Sequence, residues 1–160
     1  MAAKARTPLN AWLRLYGARH GCAVQHRSDS LTVYVVDDDD SVLRSLSRLL
    51  NTSGFHVQTF ASAETFLKSV TADSQGCVLL DITMPRMSGL QVQVALKERG
   101  IKLPVIAVSA RESHQIRETA RELGAQFFLH KPVDDQALLD AIAWVTQHAS
   151  GSTETPLRPN

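Results

Sequence analysis

Between Leu31 and Val145 one pattern recurs five times: a short run rich in apolar residues, a polar turn, then a stretch whose apolar residues fall at helical spacing. Few folds accommodate this. A strand that is apolar on both faces must be covered on both. Parallel strands need a long crossover between them, usually a helix. Five alternating units therefore imply a parallel sheet with helices on both faces and right-handed connections. Periodicity alone does not order the strands.

The units follow in sequence. Leu31–Val36 reads as the first strand. Ser41–Leu50 places Val42, Leu43, Leu46, Leu49 and Leu50 on one helical face, with acidic residues at its start and Gly54 after its end. Phe55–Thr59 is the second strand. Ser62 caps a helix whose inner face is Ala63, Phe66, Leu67 and Val70. Cys77–Leu80 is the third strand. Residues 88–99 alternate apolar and polar locally, as a strand would. A helix is nevertheless required there, because Pro104–Val108 follows as a parallel strand. Glu112–Leu123 forms a helix on Ile116, Ala120 and Leu123, Gln126–Leu129 a fifth strand, and Asp134 or Asp135 opens a last helix facing inward through Leu138, Ala141, Ile142 and Val145.

Chemistry-bearing side chains fall at successive strand ends. Asp37 and Asp38 follow the first strand, Asp81 ends the third, Ser109 the fourth, and Lys131 the fifth. Open α/β sheets bind ligands at the carboxyl ends of their strands. Three neighbouring carboxylates repel unless a cation neutralises them, and Mg²⁺ suits a partly hydrated site of few carboxylates plus phosphate. Asp81 is then a nucleophile that forms an aspartyl-phosphate. Lys131 supplies positive charge and Ser109 a hydroxyl donor to phosphoryl oxygens. Taken singly, an aspartate after a strand or Ser109 is better explained as a cap or turn residue, as Asp39 and Asp40 are, and Lys131-Pro132 is a common dipeptide; the joint arrangement is not so explained.

Charge divides the chain. Residues 1–30 carry Lys4, Arg6, Arg14, Arg19 and Arg27 against Asp29, whereas the net charge of the whole chain is +1. The basic segment reads as a solvated extension, with a short helix on Leu9, Trp12, Leu13 and Tyr16 or disorder as alternatives. Nucleic-acid binding through it is a minor alternative. Residues 148–160 read as a disordered tail. Neither a membrane-spanning run nor a secretory signal is evident. Cys22 and Cys77 have no metal or redox spacing, and no histidine lies at metal-ligand spacing. His130, next to Lys131, should point away from the pocket by strand alternation.

Residues 31–147 resemble a response-regulator receiver domain, nearest to the FixJ-type regulators. The resemblance rests on Val35-Val36-Asp37-Asp38-Asp39, on Leu80-Asp81-Ile82-Thr83-Met84-Pro85-Arg86-Met87-Ser88-Gly89, on Val108-Ser109-Ala110 and on Lys131-Pro132. It implies a flavodoxin-like, doubly wound five-stranded sheet of order 2-1-3-4-5 with five helices. It also implies that Asp81 is phosphorylated, and that Asp37, Asp38, Asp81 and the main-chain carbonyl of Thr83 hold Mg²⁺. Ser109 and Phe128 match the switch positions that couple phosphate to a shift of the fourth helix, the fifth strand and the fifth helix, and Lys131 matches the active-site lysine. Thr83 and Arg111 match positions that tune the lifetime of the acyl phosphate. Val133 departs from the phenylalanine usual after Lys-Pro.

The expected function is a stand-alone receiver in the cytoplasm. A histidine kinase phosphorylates Asp81 with Mg²⁺, and the protein-binding surface switches. The domain is a self-phosphorylating and self-dephosphorylating phosphoacceptor, not a turnover enzyme. FixJ-type regulators usually continue into a DNA-binding domain, for which no sequence remains here. The alternatives are a receiver fold that docks on a partner without phosphate, and a regulator truncated before its output domain. A phosphorylation-dependent homodimer is compatible with either switch reading.

Overall fold

A computed structural model describes residues 31–111 and 113–149. The expectations for residues 1–30, Glu112 and residues 150–160 lie outside the described residues. The elements are β1 (Thr32–Val36), α1 (Asp40–Thr52), β2 (His56–Phe60), α2 (Ala63–Ser69), β3 (Cys77–Asp81), α3 (Gly89–Glu98), β4 (Val105–Ser109), α4 (His114–Glu122), β5 (Ala125–His130) and α5 (Asp135–His148). The five strands pair in parallel in the order β2-β1-β3-β4-β5. This is the order the family resemblance implies, and β3 stands at its centre.

Alternation along the strands divides the core in two. Tyr34, Val36, Val78 and Leu80 project to the side where Phe66 and Leu67 of α2 and Val92 and Leu96 of α3 are buried. Ala107 packs with Ile82 and with Ala120 of α4, with Phe128 and Ile116 at the margin. Val33, Val35, Leu79 and Ile106 alternate with these residues and face the other side. There α1 and α5 bury Leu43, Leu50, Leu138, Ile142 and Val145. β3 is buried along its whole length, as a central parallel strand between two helical layers must be.

Helix starts are set by side-chain caps. Asp39 accepts from the Ser41 N–H, Ser62 from Thr65, and Asp134 from Ala137. The alternating segment 88–99 is a helix, as the crossover argument requires. Ser88 and Gln91 form a reciprocal capping box at its start. The alternation is accidental: Val92 and Leu96 are buried, Gln93 beside them is buried too, and Val94 is left 39% exposed.

Several boundaries differ from the sequence reading by a residue or two. β2 runs His56–Phe60 rather than from Phe55, and Leu123 caps α4 rather than belonging to it. Ser113 caps α4, its hydroxyl accepting from Ile116 N–H at 3.5 Å. His148, assigned from sequence to the tail, is the last residue of α5. Its ring stacks on Trp144 at 4.2 Å between centroids, and its Nδ1 lies 2.7 Å from the Trp144 carbonyl oxygen. This aromatic contact extends the helix beyond where polar composition alone ends it.

Candidate functional site

Backbone ladders carry the acidic residues to one edge of the sheet. The Asp37 N–H donates to the Phe60 carbonyl at 3.1 Å, one step beyond the last residue of β1. The Ile82 N–H donates to Val108 at 2.9 Å and anchors the end of β3. The Lys131 N–H donates to Ser109 at 2.9 Å, which extends the β4–β5 pairing past β5. Asp37, Asp81 and Lys131 share parity with Val35, Leu79 and Leu129. They therefore project to the α1/α5 side, at the mouth of a cleft of about 660 Å³ lined by Val42, Leu46, Leu49 and Val133.

Their side chains meet. Lys131 Nζ lies 2.6 Å from Asp37 Oδ2 and 3.5 Å from Asp81 Oδ2. Asp37 Oδ1 accepts from the Asp39 N–H at 2.9 Å, and Asp81 Oδ1 from the Thr83 N–H at 3.1 Å. Asp37 and Asp81 are buried, whereas Asp38 is exposed. Carboxylate oxygens of Asp37, Asp38 and Asp81 all lie within 4.8 Å of one another.

Burial and the negative charge of Asp37 push the Asp81 carboxyl up to about 6, against the opposing effects of Lys131 and the Thr83 N–H. Burial pulls the Lys131 ammonium down, but its hydrogen bond to Asp37 and the charge of Asp81 outweigh this, and the net shift is upward. One lysine thus serves two buried acids and leaves them under-compensated. Oxygen-only ligands with surplus negative charge match a hard divalent cation such as Mg²⁺.

Ser109 and Phe128 are arranged differently. Ser109 is fully buried, and its hydroxyl is engaged within its own loop. It accepts from the Arg111 N–H at 3.1 Å and lies 3.2 Å from the Arg111 carbonyl oxygen, to which it donates. Phe128 is half-buried beneath α4, and the Arg117 guanidinium lies over its ring at 5.3 Å. His130 is exposed, as alternation requires. Burial pushes the Cys77 thiol up to about 12, so it is an inert core group.

Sequence inspection missed a contribution from Gly89 beyond its place in the motif. A Cβ there would stand 2.4 Å from the Asp81 carbonyl oxygen and 2.8 Å from Ile82 Cα. The start of α3 is therefore pressed against the strand end that carries Asp81, with the Gly89 N–H bonded to the Ile82 carbonyl at 3.0 Å. Gln93 and Arg117 were also missed. A glutamine in an alternating segment and an arginine on a polar helix carry no local signal of burial or of a ring contact.

Comparison with known proteins gives the family. The family model for the response regulator receiver domain matches residues 33–143. The transcriptional regulatory protein TdiR of Thauera aromatica is 50% identical over 111 residues, which cover 69% of this chain and 49% of TdiR. The response regulator protein TodT of Pseudomonas putida is 40% identical over 134 residues, 82% of this chain and 59% of TodT. The chain thus spans about half to three fifths of the length of these relatives. Among solved structures, the response regulator StyR superposes with a TM-score of 0.70 at 42% identity, covering 74% of this chain and 60% of StyR. A structure of FixJ-N gives 0.70 at 32% identity, covering 74% of this chain and 94% of that one. No described helix is long and apolar enough to cross a membrane. With the acids and the lysine brought together at the sheet edge and the match running across most of the sequence, the chain belongs to the response-regulator receiver family.

Proposed function

We propose that this chain is a cytoplasmic phosphorylation switch. Asp81 accepts a phosphoryl group from a histidine kinase in a Mg²⁺-dependent reaction, and the modified domain presents an altered surface to a protein partner or to a second copy of itself. The observation that supports this most is the placement of Lys131 Nζ between the buried carboxylates of Asp37 and Asp81. A purely structural ion pair needs one acid for one base. A second buried acid, kept partly uncompensated, fits a site that takes up a cation and a phosphoryl group.

The chemistry asks little covalent work of the protein. A carboxylate oxygen of Asp81 forms a bond to phosphorus. The bond from phosphorus to the donor imidazole nitrogen breaks, and its electron pair returns to that nitrogen. The Thr83 N–H holds Oδ1 and so orients the nucleophile. With its pKa at about 6, Asp81 is mostly carboxylate at neutral pH. Asp37, Asp38, Asp81 and the Thr83 main-chain carbonyl would hold Mg²⁺, which when bound neutralises the acids and the phosphoryl oxygens. Lys131 pairs with one phosphoryl oxygen. The Ser109 hydroxyl exchanges the Arg111 carbonyl for another, which releases the loop before α4. The domain carries the group rather than turning over a substrate.

The test is intact mass after incubation with acetyl phosphate, with and without Mg²⁺, for the wild type and Asp81→Asn. The expected result is one phosphoryl adduct that requires both Mg²⁺ and Asp81. A folded wild type that takes no phosphoryl group from acetyl phosphate or from a histidine kinase would overturn the proposal.

A further inference from the structure

α4 is the most lightly packed of the longer helices. Ala120 is its one fully buried residue, whereas α5 buries Leu138, Leu139, Ala141, Ile142 and Val145. Its N-terminal cap is long, at 3.5 Å, close to the limit at which a hydrogen bond retains strength. Hydrophobic burial alone therefore defines its position weakly, and directional contacts have to supply the rest.

Two such contacts stand out among the described residues. Gln93 of α3 is 2% exposed, and its Nε2 donates to the Ala120 carbonyl at 3.0 Å. That carbonyl lies in the last turn of α4, where carbonyls lack intrahelical donors. The N–H that would reach it along the helix, that of Gly124, donates instead to Arg121 at 2.9 Å. Gln93 thus caps α4 from a neighbouring helix. Its other atom, Oε1, is buried with no partner. The amide cannot be turned to satisfy it, because the Ala120 carbonyl would then face an oxygen. The second contact is that of the Arg117 guanidinium over Phe128.

An unpartnered buried acceptor disfavours the arrangement that contains it. α4 therefore sits in a position held at both its middle and its end, yet carrying a built-in cost. Such an element is poised to move when one contact is lost. Phe128 is two residues from His130, which pairs with Ser109 across β4–β5. Ser109 and the ring beneath Arg117 are thus joined through neighbouring positions of β4 and β5.

We propose that Gln93 and Arg117 form a clasp that holds α4 in its unphosphorylated position, so that the strength of the clasp sets how tightly Asp81 retains a phosphoryl group or its mimic. The inference rests on the phosphoacceptor reading and adds the element that opposes it. Gln93 and Arg117 are positioning residues, because neither touches the acid pocket.

Two variants of the full chain test it, Gln93→Met and Arg117→Ala. Methionine nearly matches glutamine in shape, and Arg117 is exposed, so the second variant leaves the core intact. The first readout is amide exchange over residues 113–124, with β3 as internal control. The second is equilibrium binding of beryllofluoride, a non-covalent phosphoryl mimic, in Mg²⁺. Each variant should speed exchange in α4 and tighten beryllofluoride binding, each by roughly 5-fold, because a clasp on the unmodified state couples reciprocally to the site. Unchanged affinity in both variants overturns the clasp, even if exchange quickens, because a merely structural contact would loosen α4 without touching the site. Failure of the underlying reading looks different: the wild type would not bind the mimic, or Asp81→Asn would bind it equally well.

Discussion

The acid pocket and α4 lie on opposite faces of the sheet and are built in opposite ways. Around the pocket each functional residue is held by its strand and by at least one further bond: Asp37 by Phe60 and Asp39, Asp81 by Thr83 and the fully buried β3, Lys131 by Ser109. α4 has one buried alanine, a long cap, a borrowed amide and a ring contact. On the proposed function, the contrast is a division of labour. A site that positions a nucleophile has to be rigid, because misplacement weakens it steeply. An element that reports on that site has to be near a balance point.

The largest expected effect tests the rigid half. Gly89→Ala places a methyl group 2.4 Å from the Asp81 carbonyl oxygen, a backbone atom that cannot swing aside. Stability should fall by about 3 kcal/mol, at the upper end of ordinary overpacking. Urea denaturation measures this, and a loss under about 1 kcal/mol would show that α3 can shift off β3 freely.

The next effect tests the electrostatics of the pocket. The folded-state pKa of Asp81 is about 6, above its unfolded value near ~3.9. The group's stabilising contribution is therefore fully present below about pH 4 and is lost as pH rises through about 6. Without divalent cations, Asp81→Asn should be more stable than the wild type at pH 8, by about 2–3 kcal/mol. The gap between the two proteins should close toward pH 4. Added Mg²⁺ should narrow it at pH 8 by stabilising the wild type alone. Parallel urea curves from pH 4 to pH 8 with a constant gap would mean that Asp81 titrates normally.

Ser109→Ala lies on the seam between the two halves. It removes a hydroxyl that bonds both backbone groups of Arg111, at a cost of about 1 kcal/mol. Asp81 should still accept the phosphoryl group, while amide exchange across α4 should stop responding to it. A normal α4 response in this variant would detach Ser109 from the switch. The smallest effect is expected at His130, exposed on the opposite side from the acids. His130→Ala should leave phosphoryl uptake by intact mass unchanged, and a clear fall would show that the side chain reaches the pocket after all.

The rigid half was also the more legible half. The residues of the pocket follow apolar runs, and apolar runs in parallel strands are unambiguous, so their ends can be located without coordinates. Segment 88–99 needed an argument from topology, since its alternation pointed to a strand. The capping box of Ser88 and Gln91 was present in the sequence and settles the matter once seen. α4 was legible as a helix on Ile116, Ala120 and Leu123, but its looseness was not. How deeply a helix is buried depends on its neighbours, and these include α3, whose Gln93 is 27 residues from Ala120, as well as β5.

The sequence by itself determined the alternation of strands and helices, the caps at most helix starts, and which residues stand at strand ends. These follow from local periodicity and from side chains acting on adjacent backbone. Only the tertiary structure decided that Lys131 bridges Asp37 and Asp81, that the Ser109 hydroxyl is turned to Arg111, that Gly89 touches the Asp81 backbone, and that Gln93 reaches Ala120. Each of these joins groups from separate elements or selects one rotamer among several, and distances across a packed sheet depend on register and crossing rather than on the order of residues along the chain.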